Sequence, residues 1–254
     1  VDIIRDGEIY LYGYVGESWW DDCFTALDVV DALSTLGRST DVVVHINSGG
    51  GVAVEGSAIY SALVAHKGKV SIVVDSIAAS AASLIAMAGD TVTMRRGSVM
   101  MIHDPMAGTW GNAEDHEKSL EALNALATAM SSIYADKSKR TAEECRADMR
   151  AEIWLTPEEA VRLGYADAAA TSDAAEATAF DYRIYAHAPQ PLRALAEAKG
   201  WAMRSGRERP TAKQENTPMP ADPQPNSPPA PSPHSAEATA AAVAAARAEA
   251  AEIT

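Results

Sequence analysis

The sequence predicts an α/β fold in which a sheet is covered by crossover helices. Up to about Tyr182, short β-rich runs alternate with longer helical patterns, the order that places a helix between successive strands. The chain is also rich enough in Val, Ile, Leu, Met and Ala to bury one sizeable core within its 254 residues. Its character changes only after about residue 205, so one catalytic-size domain with an appendage is expected.

The strand candidates are EIYLYGYV (8–15), DVVVHIN (41–47), KVSIVVDS (69–76), DTVTMR (90–95) and SVMMIH (98–103). Helical patterns cover 21–36, 53–66 after a run of glycines, and the small-residue stretch 78–88. A long helix is expected over 112–137, with Asn112 as N-cap and Leu120, Leu123, Leu126, Met130 and Ile133 at helical spacing. Thr156, Pro157, Glu158 and Glu159 form a helix start: threonine caps, proline suits the first turn, and carboxylates favour the positive end of the helix dipole. That leaves Glu152 and Trp154 in a short extended segment just before this helix.

Beyond the body, a helical extension is expected over 186–205, a proline-rich disordered linker over 206–234 and an alanine-rich helical tail over 235–254. The formal net charge is −14, and no stretch gathers Lys and Arg into a stripe that follows a phosphate backbone, which argues against nucleic acid as a partner. Cys23 and Cys145 have no metal-ligand or disulfide-framework spacing and are expected to be packing residues in a reducing compartment. No apolar run approaches the roughly 20 residues that span a bilayer, and VDIIRDGEIY lacks the pattern of a signal peptide, so a cytoplasmic protein with no membrane partner is expected.

Three segments carry chemistry. In INSGGG (46–51), glycines follow a β-branched strand and precede a helix, a turn whose amides are suited to receive negative charge. In DSIAASAASLIAMAG (75–89), a strand passes into a helix of small residues; Ser80 sits near the junction, where the amide of Ala81 has no intrahelical partner. Ser76 and Ser83 compete with it for the nucleophile's role. In MIHDP (101–105), His103 ends an apolar strand before a proline that stops it. Taken singly, each segment has an ordinary packing explanation. Their conjunction, in this order, does not.

Together with GSAIYSAL (56–63) and WLTPEEAVRLGYAD (154–167), these motifs resemble the ClpP family of serine peptidases, most closely the ClpP-like head maturation proteases of tailed phages, over roughly residues 8–168. The resemblance implies a peptidase domain over 1–185 with a crotonase-like spiral of ββα units, the nucleophile on Ser80 and the general base on His103. It puts the oxyanion-hole amides on Gly51 and Ala81, with Gly50 supporting the same turn. The residue that orients the histidine falls on Glu152, where ClpP has aspartate; Asp148, one helical turn earlier, is the reserve acid. Gly49 stands where ClpP usually has proline, which is expected to make the loop more mobile.

The resemblance further implies an extended polypeptide substrate lying along the strand edge beside the glycines, a groove bordered by Asp104 to Trp110, no cofactor or metal, and a homo-oligomeric ring. A phage maturation enzyme would cleave capsid or scaffold proteins inside a procapsid. Two other readings stay open on the residues alone: a crotonase-type acyl-CoA enzyme and a catalytically silent scaffold protein.

Overall fold

The computed structural model describes residues 2–17 and 22–202. The linker expected at 206–234 and the tail expected at 235–254 lie outside the described residues.

The chain opens with β1 (Ile4–Arg5) and β2 (Glu8–Val15), then β3 (Cys23–Phe24) and α1 (Ala26–Leu36). In β2 alternate residues are buried, so Ile9, Leu11 and Val15 enter the core while Tyr10, Tyr12 and Tyr14 stand on the other face. Two strand-to-helix units come next: β4 (Val42–Gly51) with α2 (Ala53–Val64), and β5 (Val70–Ala79) with α3 (Ala81–Ala86). After them are β6 (Thr91–Arg96), β7 (Val99–Ile102), α4 (Ala113–Ser138), α5 (Ala142–Ala151), β8 (Ile153–Leu155), α6 (Pro157–Leu163) and β9 (Ala168–Asp173). A short 3-10 turn at Tyr182–Ile184 and α7 (Gln190–Ala198) complete the described chain.

The sheet runs β1-β2-β4-β5-β6-β9, and every neighbouring pair from β2 to β9 is parallel. Strand β5 forks it. Its first half, Ser71–Val74, pairs with β6, whereas Ile77–Ala79 pairs with β7, which in turn meets β8 antiparallel. Ser80 comes directly after the second branch.

Several expectations from the sequence hold in detail. Asn112 caps α4 in a reciprocal box with Asp115, and Thr156 caps α6 in another with Glu159, with Pro157 in the first turn. The expected helix over 21–36 begins later, at Ala26, because Thr25 forms a capping box with Asp28. Helix α5 and strand β9 were not anticipated, although Thr141 and Glu144 carry the same capping signature for α5. Cys145 is buried, as a packing residue should be, and Cys23 is partly exposed.

The glycine run departs from expectation. It is not a turn: β4 continues through Ser48, Gly49, Gly50 and Gly51, and Tyr14 and Val15 of β2 pair with Gly50 and Gly51. Gly49 is closely packed. A Cβ there would meet the Phe180 ring, within 2.6 and 2.7 Å of its two Cδ atoms, so glycine makes room for that ring.

Two apolar clusters form. The larger packs α1 to α4 against one side of the sheet and includes Ile9, Leu11, Val44, Ile72 and Leu84. The smaller joins Ile77, Ala79 and Met101 to Phe180, Tyr182, Tyr185 and Ala196, so residues after β9 cover the second branch. The apolar stripe of α4 is only half used within one chain: Met130 and Tyr134 are buried, but Leu120 is 60% exposed.

Candidate active site

Ser80 stands at the corner between β5 and α3, as the N-cap residue, with φ 56° and ψ −124°. That backbone region is sparsely populated for a residue with a Cβ and costs on the order of 1–3 kcal/mol. The strain persists because the surroundings fix it. The Ser80 N–H donates to the Met101 carbonyl of β7 at 2.9 Å, and the Ser80 carbonyl accepts from the N–H groups of Ser83 and Leu84 at 3.0 and 3.2 Å. This sharp strand-to-helix turn projects the hydroxyl away from the helix it starts.

His103 comes just after the last residue of β7, held in place because the next N–H, that of Asp104, donates to the Met149 carbonyl at 3.0 Å. The carboxylate of Asp104 pairs with Arg146, tying the same corner to α5. His103 Nε2 lies 2.7 Å from Ser80 Oγ, and the ring is 6% exposed. Burial pushes the imidazole below its ordinary value, and the nearby charge of Glu152 opposes that shift in part. Neutral imidazole with its proton on Nδ1 accepts the serine hydroxyl at Nε2, the arrangement a general base requires.

Register brings the glycines to the nucleophile. Ser48 pairs with Ala78 across β4 and β5, and two residues on Gly50 lies against Ser80 and the Ala79 carbonyl. Gly50 has φ 103°, and a Cβ on it would fall 2.7 Å from the Ser80 Cβ, so no other residue fits this approach. Its own N–H donates to Ser48 Oγ at 3.1 Å and supports the strand rather than facing the cleft. Ala81 is the first residue of α3, where a main-chain N–H has no intrahelical acceptor. Of the competing serines, Ser83 is fully buried, with its hydroxyl 2.7 Å from the Ser80 carbonyl and 2.9 Å from the Tyr134 hydroxyl. Ser76 is buried within β5.

The two acids stand apart from this pair. Glu152 is the C-cap of α5 in a left-handed conformation, φ 48° and ψ 68°. Its carboxylate accepts the main-chain N–H groups of Ala186 and His187 at 2.9 and 2.6 Å and faces Trp154 Nε1 at 3.3 Å. It is close enough to act on His103 through its charge, but its hydrogen bonds go to the 186–187 backbone. Asp148 is engaged by Arg140 and by the Tyr165 hydroxyl, which donates to it at 2.7 Å. The structure thus brings together Ser80, His103 and Gly50, with Gly51 and Ala81 next to them in the chain, and holds both acids in other bonds. The segment from Asp104 to Trp110 is largely exposed, with Trp110 98% exposed.

One part of the site was missed from the sequence. Tyr185 lies against the reacting pair: its ring stands edge-on to His103 at 5.2 Å, and its hydroxyl donates to the Gly49 carbonyl at 2.7 Å. Burial pushes this phenol far above its ordinary value, while the Ser80 hydroxyl draws it back in part. The available signal was FDYRIY at 180–185, three aromatic rings in an otherwise small, polar stretch.

Comparison with known proteins bears on the whole of this arrangement. The chain is 29% identical over 169 residues to the ATP-dependent Clp protease proteolytic subunit of Streptococcus gordonii, a match covering 65% of this chain and 85% of the relative. The Streptococcus pneumoniae protein of the same description is 28% identical with the same coverage. That of Bacteroides fragilis is 30% identical over 139 residues, covering 53% of this chain and 66% of the relative. The Clp protease family model matches residues 2–173, which span β1 to β9 and every residue of the constellation except Tyr185. On that match, extending over well more than half of its length, this chain belongs to the Clp protease family of serine-type peptidases.

Proposed function

We propose that this chain is a serine endopeptidase working without ATP, with Ser80 as nucleophile and His103 as general base. The observation that carries the reading is the 2.7 Å contact between His103 Nε2 and Ser80 Oγ at a strained strand-to-helix corner. His103 takes the hydroxyl proton as Ser80 Oγ attacks a peptide carbonyl, and the amides of Gly51 and Ala81 receive the developing oxyanion. Protonated His103 then gives its proton to the leaving amine, and water activated by the same imidazole hydrolyses the acyl-enzyme. No step of this cycle consumes a nucleotide. Glu152 is the acid assigned to orient His103, and in that role one of its oxygens must also accept Nδ1–H.

Proteins of this family form oligomeric rings and act on polypeptides. A homo-oligomeric ring is proposed for this chain too, and the exposed apolar end of α4, including Leu120, supports it. The finer reading is that it matures phage heads by cleaving capsid or scaffold proteins. Support for this comes from the likeness of its motifs to head maturation proteases and from the proline-rich and alanine-rich stretches after residue 205, suited to tethering or to removal.

The test compares the full chain with Ser80→Ala. A fluorophosphonate probe should label the first at a single site and leave the second unlabelled, with unchanged circular dichroism. Labelling retained in Ser80→Ala sinks the assignment. Intact masses of the same two proteins report on self-processing: trimming after residue 205 in the wild type alone supports the maturation reading, and identical masses count against it.

A further inference from the structure

The family model matches up to Asp173, and the chain beyond it folds back onto the strands that lead to Ser80 and His103. After β9, the Ala175 N–H donates to the Asp75 carbonyl at 2.8 Å, which directs the chain toward the glycine strand. Asn47 then holds it at three points: its amide donates to the Glu176 carbonyl at 2.8 Å, its side-chain oxygen accepts the Thr178 N–H at 3.3 Å, and its carbonyl accepts the Thr178 hydroxyl at 3.0 Å. Phe180 packs on Gly49 and stacks on Tyr185, with ring centroids 5.7 Å apart and planes 8° from parallel. Tyr185 stands between the Gly49 carbonyl and the His103 ring. Ala186 and His187 then take both oxygens of Glu152.

These contacts use the groups an incoming peptide needs. On the peptidase reading, an extended substrate beside Ser80 would pair with main-chain groups at the glycine end of β4; here the carbonyls of Asn47 and Gly49 accept from the chain's own Thr178 and Tyr185. The imidazole of a serine peptidase is oriented by a carboxylate; here Glu152, the acid whose charge reaches His103, is bonded to main chain. Phe180, Tyr182, Tyr185 and Ala188 are buried and anchor the segment, while Glu176, Arg183, Ile184, Ala186 and His187 are exposed.

We infer that residues 176–188 form an inhibitory strap built into the chain, which fills the peptide cleft beside Ser80 and withholds the Glu152 carboxylate from His103 until it lifts. The inference rests on the peptidase reading for its consequence, and its test is chosen not to depend on turnover. An occupied cleft lowers the apparent affinity for a polypeptide in proportion to the fraction of molecules in which the strap is open. Thr178→Val keeps the shape and removes the hydroxyl's bond to Asn47; Phe180→Ala removes the ring on Gly49.

The experiment places each change in the full-length Ser80→Ala protein and measures binding of fluorescein-labelled, reduced and carboxymethylated α-lactalbumin, an unfolded polypeptide, by anisotropy. Tightening on the order of tenfold in either folded variant is expected. Unchanged or weaker binding in a variant that keeps its circular dichroism overturns the strap; Thr178→Val, the milder change, decides the matter if Phe180→Ala does not fold. With Ser80 intact, the same changes should speed labelling by a compact fluorophosphonate, and adding Glu152→Gln should cancel that gain. Acceleration that survives Glu152→Gln overturns the withholding of the acid. Failure of all labelling condemns Ser80 as nucleophile, and the lactalbumin measurement, which uses no Ser80 chemistry, still decides the strap.

Discussion

Replacing Gly49 with alanine adds one carbon to a strand whose backbone accommodates it, and the atoms nearest that carbon all belong to Phe180. A Cβ at this position lies within 2.6 and 2.7 Å of the Phe180 Cδ atoms, where ordinary contact begins near 3.4 Å. These atoms sit at the root of the ring, so the whole side chain must shift, and with it Tyr185, which stacks on it at 5.7 Å. Overpacking of this kind costs about 1–3 kcal/mol. For a domain of roughly 200 residues each kcal/mol lowers Tm by about 2–4 °C, so a fall of roughly 2–12 °C is expected. Thermal melts of Gly49→Ala, Phe180→Ala and the double variant form a cycle. With the ring absent the added methyl has nothing to strike, and its cost should vanish or turn into a gain of about 0.4–1 kcal/mol from the stiffer unfolded chain. Strictly additive costs would refute the placement of Phe180 over the glycine strand, and with it the covered cleft.

Two further outcomes rest on charge. His103 is held below the ordinary histidine value of 6.5 by burial, so it binds fewer protons folded than unfolded, and its contribution makes the fold less stable as pH falls below 6.5. The acid limb of peptide hydrolysis, and the imidazole shift followed by NMR, should titrate below pH 6.5; a midpoint above it refutes this. His45 is the opposite case. It lies 2.8 Å from Asp75 and 2.9 Å from Glu8, and its bond to Asp75 raises it above 6.5 despite burial. Burial pushes Asp75 up, but bonds from His45, Tyr12 and Arg95 hold it below its ordinary value of 3.8. The stability His45 contributes is therefore fully present below pH 6.5 and is lost as pH rises through its raised value, whereas that of Asp75 is present above pH 3.8 and lost as pH falls through its lowered one. His45→Gln should cost about 2 kcal/mol in denaturant unfolding at pH 6 and less at pH 9. Equal costs at the two pH values would disprove the pairing.

Much was legible along the chain because it depends on neighbours in sequence. Strand β2 and the caps Asn112 and Thr156 were placed to within a residue, since alternation and capping boxes act over two to four positions. The motifs around Ser80 and His103 marked the pair that the fold then set 2.7 Å apart. Less came through where distant segments meet. That the glycines extend a strand instead of turning depends on β2 lying beside them, and a run of glycines carries no side-chain pattern to announce it. Glu152 was expected as the acid that orients His103, but the bonds its carboxylate makes are set by residues 186–187, more than thirty positions later. By itself the sequence determined the class of fold and marked Ser80 and His103 as the candidate pair, because both rest on patterns short in sequence. Only the tertiary structure decided which groups those residues face, because Phe180 and Tyr185 reach Gly49 and His103 through a return of the chain that hydrophobic burial drives and no short-range spacing encodes.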